Sequence, residues 1–409
     1  MRIAIAAAGM AALLAGCGGS GTPEVTRAAS LPAIDMVDNP GFDAWVMGFR
    51  PRAIAHGITP ATFDRAFSDV GYVPEVIRRD RNQSEFVKPI WEYLDTAVSE
   101  TRIQNGQAKL SEHARVLSEI EARYGVPREV VVAVWGMESS YGSYRGRMPV
   151  IPSLATLAYD GRRGAFFEQQ LIAALRIVQA GDVPPREMTG SWAGAMGHTQ
   201  FIPTSYLAYA VDFRGDGHRD IWSDDPTDAL ASTAAYLAKS GWVPGQPWGE
   251  EVLLPAGFPH GLAGKGIRKP VAEWRAMGVR PAAGSLRGQG NASVLLPAGA
   301  NGPAFLIYDN FRAISRYNAA DSYVLGVGHL SDRLKGAGPI RTAWPRTDRP
   351  LTQSERTELQ QRLTRAGYDT QGTDGKLGPN SVEAIRAYQV ASGLTPDGYP
   401  SLDLLNRLR

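Results

Sequence analysis

Residues 124–142 read YGVPREVVVAVWGMESSYG, and this stretch carries the strongest indication of the architecture. Pro127 suits the first turn of a helix, and Gly142 suits its end. The β-branched run from 130 to 134 also favours a strand, so propensity alone leaves that alternative open. The surrounding chain, from 42 to 241, has a mostly helical pattern. We therefore expect an α-rich region built around this stretch.

Glu138 is the candidate catalytic residue of that stretch. In a helix it would share one apolar face with Val131, Val134 and Trp135. A carboxyl on a core-facing stripe should have a raised pKa, because burial disfavours the charged form, and a general acid must be protonated. The structural alternative is a Glu at a helix end that meets water or pairs with Arg145.

After residue 241 the sequence pattern changes from helical to strand-like. Short apolar runs at 251–254, 293–296 and 304–308 lie between Gly and Pro residues and suit strands. A helical pattern returns from 310 to 334. After a Gly- and Pro-rich linker, the tail has two short amphipathic helices and a leucine-rich end that suggests a third. The predicted class is α+β and mainly α.

The composition excludes several classes of protein. The chain has 409 residues, of which 44% are hydrophobic and 21% charged, enough for two or three globular domains. The formal net charge of +2 gives no support for nucleic-acid binding. The six histidines lack the spacing of a zinc site, and a single cysteine permits no disulfide within the chain.

The amino terminus has the outline of a secretory signal. Arg2 precedes an apolar run from 3 to 14 that is too short to span a bilayer. The following Leu-Ala-Gly-Cys sequence ends at Cys17 and resembles the lipobox of bacterial lipoproteins, in which the cysteine carries a lipid. Gly18 after the cysteine resembles the pattern sent to the outer membrane. A plain signal peptide that contains a cysteine is the alternative.

Two further segments carry polar and aromatic groups. The stretch 191–206 contains Ser191 and Gln200 among small residues, which would let a sugar or another backbone approach closely. Close helix packing is its alternative explanation. The stretch 316–323 adds Tyr317, Asn318 and Tyr323, with a simple helix start as the alternative.

Together, these three segments resemble the membrane-bound lytic murein transglycosylase B family. The likeness extends from about 45 to 334, with the motifs Glu138-Ser-Ser-Tyr-Gly, Gly194-Ala-Met-Gly-x-x-Gln-Phe and Tyr317-Asn in order. It implies a lysozyme-like catalytic domain in which Glu138 is the only catalytic acid. The groups that it implies around the substrate are Ser191, Gln200, Tyr317, Asn318 and Tyr323.

The resemblance also implies a reaction. Glu138 would protonate the glycosidic oxygen between N-acetylmuramic acid and N-acetylglucosamine, then accept the proton of the muramic 6-hydroxyl as that group closes a 1,6-anhydro ring. Ordinary glycosidases use two carboxylates instead. No cofactor is required. A hydrolytic muramidase and a noncatalytic wall-binding lipoprotein are the rival interpretations.

Calcium is a candidate ligand of the acidic segment 212–228. Asp212 and Asp216, followed by Gly217, match the beginning of an EF-hand loop. The family likeness implies Asp212, Asp216, the His218 carbonyl and Asp228 as metal ligands. Arg214 at the third position and extra residues before Asp228 argue against tight binding.

The tail resembles a three-helix peptidoglycan-binding domain, with a generic helical cap as the alternative. Expected partners are peptidoglycan glycan strands, the membrane through a lipid anchor and, as further candidates, cell-wall synthesis proteins, with the enzyme on the periplasmic side of the outer membrane. The predicted regions are a signal peptide (1–16), a tether (17–36), the catalytic domain (37–336) with its β-containing insert (242–309), a linker (337–349) and the binding domain (350–409).

Overall fold

The structure is a computed structural model that describes residues 34–82 and 88–409. Cys17 and the predicted signal peptide lie outside the described residues. Along the part that is described, no helix is long and apolar enough to cross a membrane.

Helices dominate the chain. Those before residue 200 are α1 (Pro40–Ala55), α2 (Pro60–Ala66), α3 (Pro74–Arg81), α4 (Ile90–Ala97), α5 (Glu100–Glu112), α6 (Ala114–Tyr124), α7 (Arg128–Ser139), α8 (Val150–Asp160) and α9 (Gly164–Ala180). Those after it are α10 (Pro203–Tyr209), α11 (Thr227–Lys239), α12 (Val271–Ala276), α13 (Asp309–Tyr317), α14 (Asp321–Leu334), α15 (Gln353–Arg365), α16 (Pro379–Ala391) and α17 (Leu402–Leu408).

The strands are short. They are β1 (Met148–Pro149), β2 (Thr189–Gly190), β3 (Gly249–Leu253), β4 (Lys269–Pro270), β5 (Arg280–Pro281), β6 (Asn291–Leu295), β7 (Pro297–Ala300) and β8 (Ala304–Ile307). The predicted α+β class, mainly α, is therefore confirmed.

The described chain divides into two compact units. The Glu138 unit comprises the described parts of Ile5–Gln83 and Glu138–Ser232. The sheet unit comprises the described parts of Ser84–Met137 and Thr233–Arg409.

In the Glu138 unit, α8 is the central helix. Every residue from Val150 to Ala158 is buried, including the polar Ser153 and Thr156. A helix that is apolar on all sides belongs in the core, and the Thr156 hydroxyl oxygen accepts a hydrogen bond from the Val73 backbone at 3.1 Å. Gly161, in the left-handed region at φ 81°, then reverses the chain into α9, which packs along α8.

The sheet unit contains a five-stranded sheet in the order β4-β6-β8-β3-β5, with antiparallel neighbours. In this sheet Val294 pairs with Leu306, and Val252 pairs with Ala304. The three strands expected from the apolar runs are its central strands β3, β6 and β8. Trp274 of α12 is fully buried against the sheet and donates its indole N–H to the Ala292 carbonyl at 3.0 Å.

The last three helices, α15 to α17, pack around a small apolar core, as the leucine pattern predicted. Its buried members are Leu351, Leu359, Leu363, Ile385, Leu404 and Leu405. Thr352 and Glu355 form a reciprocal capping box that begins α15.

Candidate active site

Glu138 is the penultimate residue of α7, so this stretch forms the predicted helix and not a strand. Residues 130–135 of α7 are buried, whereas Glu138 is only partly buried. Glu138 is therefore more accessible than the apolar residues that precede it in α7.

The backbone immediately after Glu138 is strained. Ser140 and Tyr141 have φ values of 49° and 60°, in the left-handed region that residues with a Cβ atom rarely adopt. Gly142 continues the turn at φ 84°, and the Tyr144 N–H donates to the Ser139 carbonyl at 2.9 Å. Such strain persists only where the surrounding contacts hold it, and it is frequent at active sites.

Ser139 is one of those contacts. Its side chain is buried, with the residue 1% exposed. The hydroxyl donates to the His198 carbonyl at 2.5 Å and accepts from the Gly142 N–H at 2.9 Å. Ser139 thus joins the turn behind Glu138 to the segment that contains Gln200.

Ser191 lies at the start of that second segment, after β2. Its side-chain oxygen accepts hydrogen bonds from the backbone N–H groups of Ala193 at 3.3 Å and Ala195 at 3.0 Å. Its own N–H donates to the Ala195 carbonyl at 2.7 Å. Within the described structure Ser191 shapes its own loop.

Gln200 is a third non-glycine residue in the left-handed region, at φ 54°. Its side-chain amide donates to the carbonyls of Gly197 and Arg145, each at 2.9 Å. A side chain at Gly197 would clash with the Ile221 carbonyl, since an added Cβ atom would lie 2.2 Å from that oxygen. The small residues of this segment therefore permit close backbone packing.

Tyr317, Asn318 and Tyr323 lie in the sheet unit, where α13 turns into α14. The rings of Tyr317 and Tyr323 are stacked, with centroids 6.4 Å apart and an interplanar angle of 12°. Asn318 caps the end of α13, and its side-chain oxygen accepts from the Ala320 N–H at 3.0 Å. The structure thus places these three residues together, whereas Glu138, Ser191 and Gln200 belong to the Glu138 unit.

Arg145 and His198 are site residues whose roles the sequence did not reveal. The Arg145 side chain donates to the carbonyls of Trp222 at 2.9 Å and Ser223 at 2.6 Å, and to the Asp224 carboxylate at 2.7 Å. The His198 ring lies 2.7 Å from the Ser223 carbonyl, and burial lowers its pKa. These partners are 25 to 79 residues away along the chain, so no local pattern could indicate them.

The acidic segment 212–228 has carboxylates that accept hydrogen bonds from backbone N–H groups. Asp212 accepts from the N–H groups of Gly215, Asp216 and Gly217. Asp216 accepts from His218, and Asp228 accepts from Phe213 and Asp220. In residues 34–82 and 88–409, no group of three or more His, Cys, Asp or Glu side chains is placed to hold a metal ion. The calcium ligands suggested by the sequence, Asp212, Asp216, the His218 carbonyl and Asp228, therefore stay a prediction.

Comparison with known proteins adds to this geometry. The sequence model of the transglycosylase SLT domain matches residues 41–332, and that of a peptidoglycan binding domain matches residues 352–408. Membrane-bound lytic murein transglycosylase B of Escherichia coli (strain K12) is 32% identical over 291 residues, which are 67% of this chain and 78% of that protein.

Solved structures show the same likeness. SltB3 from Pseudomonas aeruginosa, in complex with NAG-anhNAM-pentapeptide, is 54% identical with a TM-score of 0.87, and the match covers 91% of this chain and all of that one. The Escherichia coli lytic transglycosylase Slt35, in complex with calcium, is 30% identical with a TM-score of 0.61 over 73% of this chain and 93% of that one.

Proposed function

This chain belongs to the transglycosylase SLT domain family, and from that premise we propose that Glu138 is the acid and then the base of a peptidoglycan lytic transglycosylase. The bond cleaved is the β-1,4 linkage from N-acetylmuramic acid to N-acetylglucosamine. The observation that supports Glu138 is its place at the end of the buried helix α7, directly before a strained turn.

In the first step the protonated Glu138 donates to the glycosidic oxygen, and the bond from that oxygen to the muramic anomeric carbon breaks. The positive charge that develops at this carbon is stabilised by the oxygen of the 2-acetamido group of the same sugar. N-Acetylglucosamine leaves with the proton of Glu138.

In the second step the Glu138 carboxylate removes the proton of the muramic 6-hydroxyl, whose oxygen attacks the anomeric carbon. The 1,6-anhydro ring closes and Glu138 is again protonated, so the proton balance is restored without water. Because the nucleophile belongs to the substrate, its effective concentration is high and a second carboxylate is unnecessary.

The other five predicted residues are proposed to bind the glycan strand. The Ser191 side chain is bonded within its own loop and that of Gln200 to the Gly197 and Arg145 carbonyls, so their contribution would come from the shape of the backbone that they hold. Tyr317 is half-buried and its ring stacks on the buried Tyr323, so Tyr317 offers an aromatic surface of the kind on which sugar rings pack, and Tyr323 supports it. Asn318 fixes the turn between α13 and α14 that carries them.

The test is the rate of solubilisation of purified peptidoglycan sacculi by the wild type and by Glu138→Gln. The amide keeps the size of the carboxyl but cannot transfer a proton, so we expect a loss of at least about a hundredfold. Glu129→Gln on the same helix is the matched control and should keep wild-type activity, because Glu129 lies in the first turn of α7 and pairs with Arg128 and Lys335. An active Glu138→Gln enzyme would reject the proposal.

The tail, residues 350–409, is proposed to be a binding domain that holds the enzyme on the cell wall. It would follow a catalytic domain at 37–336, which has an insert at 242–309, and a linker at 337–349. The position of α15 to α17 supports this division, as does that of the strands between 249 and 307. Removal of residues 350–409 should reduce binding to sacculi in a sedimentation assay.

The enzyme is proposed to act in the periplasm, attached to the outer membrane by a lipid on Cys17. The support is the sequence alone, namely the apolar run at 3–14 and the cysteine after it. Cys17→Ser should move the protein from the membrane fraction to the soluble fraction and abolish labelling by radioactive palmitate. Unchanged fractionation would exclude the anchor.

A further inference from the structure

We propose that Arg145 is a positioning residue, whose guanidinium holds the strained turn behind Glu138 against the loop 220–224 and thereby fixes the Glu138 carboxyl for proton transfer. This inference rests on the proposed role of Glu138.

The turn needs such support because of its backbone. Among the described residues, four non-glycine residues have a positive φ, and three of them are Ser140, Tyr141 and Gln200. Left-handed conformations cost free energy for residues with a Cβ atom, so this backbone must be held by side-chain contacts. Without them it would relax and move the carboxyl.

Arg145 contacts both sides of the strained region. Its backbone carbonyl accepts a hydrogen bond from the Gln200 side chain at 2.9 Å. Its guanidinium donates to the Ser223 carbonyl at 2.6 Å and to the Trp222 carbonyl at 2.9 Å. Arg145 follows the turn of Glu138 in the chain and therefore anchors its end to the segment of Gln200 and to the loop 220–224.

His198 completes the connection. Its ring is almost fully buried and lies 2.7 Å from the Ser223 carbonyl and 3.2 Å from an Arg145 nitrogen. Burial, and to a smaller extent the nearby Arg145 charge, lower its pKa, while the hydrogen bond to Ser223 and the charges of Asp220 and Asp224 act in the opposite direction. The carbonyl of His198 accepts from the Ser139 hydroxyl, which is adjacent to Glu138 in the chain.

The geometry of the guanidinium matters more than its charge. Asp224, its ion-pair partner, has a side chain that is 97% exposed, and an exposed pair is screened by water and salt. The Arg145 side chain is only 30% exposed, and its carbonyl acceptors are fixed parts of the loop. Both carbonyls are bonded by the same guanidinium nitrogen, which the rigid planar group holds in place. Lysine would keep the charge, but its ammonium lies on a flexible stem with rotatable donors and would not hold that position.

The test compares kcat and KM for Arg145→Lys, Arg145→Met and Asp224→Asn on solubilised glycan strands, with thermal unfolding as the check on folding. We expect both Arg145 variants to lose about tenfold to a hundredfold in kcat with nearly unchanged KM, because small displacements of a catalytic group have effects of that size. Asp224→Asn should stay within about twofold of the wild type.

Arg52→Met is the matched control, because Arg52 lies in the same unit and makes a bidentate contact with Glu168 at 2.9 and 3.0 Å. It should keep wild-type kcat. Wild-type kcat in Arg145→Lys would overturn the proposal, since the charge alone would then suffice. If Arg145→Met does not fold, Arg145→Lys decides alone. Failure of the Glu138 role itself would appear separately, as activity in Glu138→Gln.

Discussion

His329 in α14 makes stability depend on pH through a single side chain. Burial, and then the charge of Arg333, lower the pKa of His329 from 6.5 to about 4. The folded protein therefore binds fewer protons than the unfolded chain between these values, so stability is full above pH 6.5 and falls as the pH decreases towards 4. The loss amounts to about 3 kcal/mol.

His329→Gln should remove most of this decrease, because glutamine does not titrate. Urea unfolding at a series of pH values measures it, with the exposed His218→Gln as the control. The buried His198 should leave a smaller decrease in the same direction. A variant with the full wild-type pH dependence would show that His329 is not the group responsible.

Only those features of the candidate site that depend on neighbouring residues in the chain could be predicted from the sequence. Glu138 could be proposed as the catalytic residue because its helical spacing and the motif around it are both short-range features. The strain at Ser140 and Tyr141 could not, because the contact that holds it joins Ser139 to a carbonyl 59 residues away. Arg145 was considered only as a partner of Glu138, whereas its guanidinium is bonded to the loop 220–224.

At the level of elements, close packing between α14 and Trp248 explains one glycine of that helix, Gly328. A Cβ atom at Gly328 would lie 2.3 Å from the Trp248 ring, and Trp248 is itself fixed by a hydrogen bond from its indole N–H to Asp332 at 2.8 Å. The ring therefore cannot move aside without breaking this hydrogen bond.

Gly328→Ala should accordingly destabilise the protein by about 1–3 kcal/mol, through overpacking that outweighs the better helix propensity of alanine. Gly48→Ala in α1 is the control, because its nearest neighbour is the end of the Arg52 side chain at 3.9 Å. That variant should be neutral or more stable. Equal effects in chemical denaturation would contradict the packing argument.

The elements themselves were largely predictable. The helix α7 and the strands β3, β6 and β8 follow from apolar spacing, as do the three helices of the tail. The two-residue strands β4 and β5 and the short helix α12 were not predicted, since segments of two to six residues carry too little periodicity and depend on the sheet that they pack against.

At the scale of the whole chain, the tail is docked within the sheet unit. Arg386 of α16 donates to the Ala263 carbonyl at 2.7 Å, and the Ala300 N–H donates to Asp397 at 2.8 Å. The linker is also held, since Glu251 accepts from the N–H groups of Arg341 and Thr342 at 2.9 and 2.7 Å. The Gly- and Pro-rich composition of the linker could not reveal these contacts, because it indicates only where helices and strands end.

Arg386→Ala should loosen this docking by about 1–3 kcal/mol, because a mostly buried hydrogen bond is lost. Cleavage by a protease within 337–349 should then become faster, with intact protein as the measured quantity. Arg407→Ala is the control, since Arg407 forms an exposed ion pair with Asp403 in its own helix. Identical cleavage rates would mean that Arg386 does not hold the tail.

The central claim is a lyase reaction that uses Glu138 and no water. Mass spectrometry of the fragments released from sacculi in ¹⁸O-labelled water tests it most directly. We expect anhydromuropeptides without the label from the wild type and none from Glu138→Gln. Labelled reducing ends would identify a hydrolase, and the same anhydro products from Glu138→Gln would contradict the role of this residue.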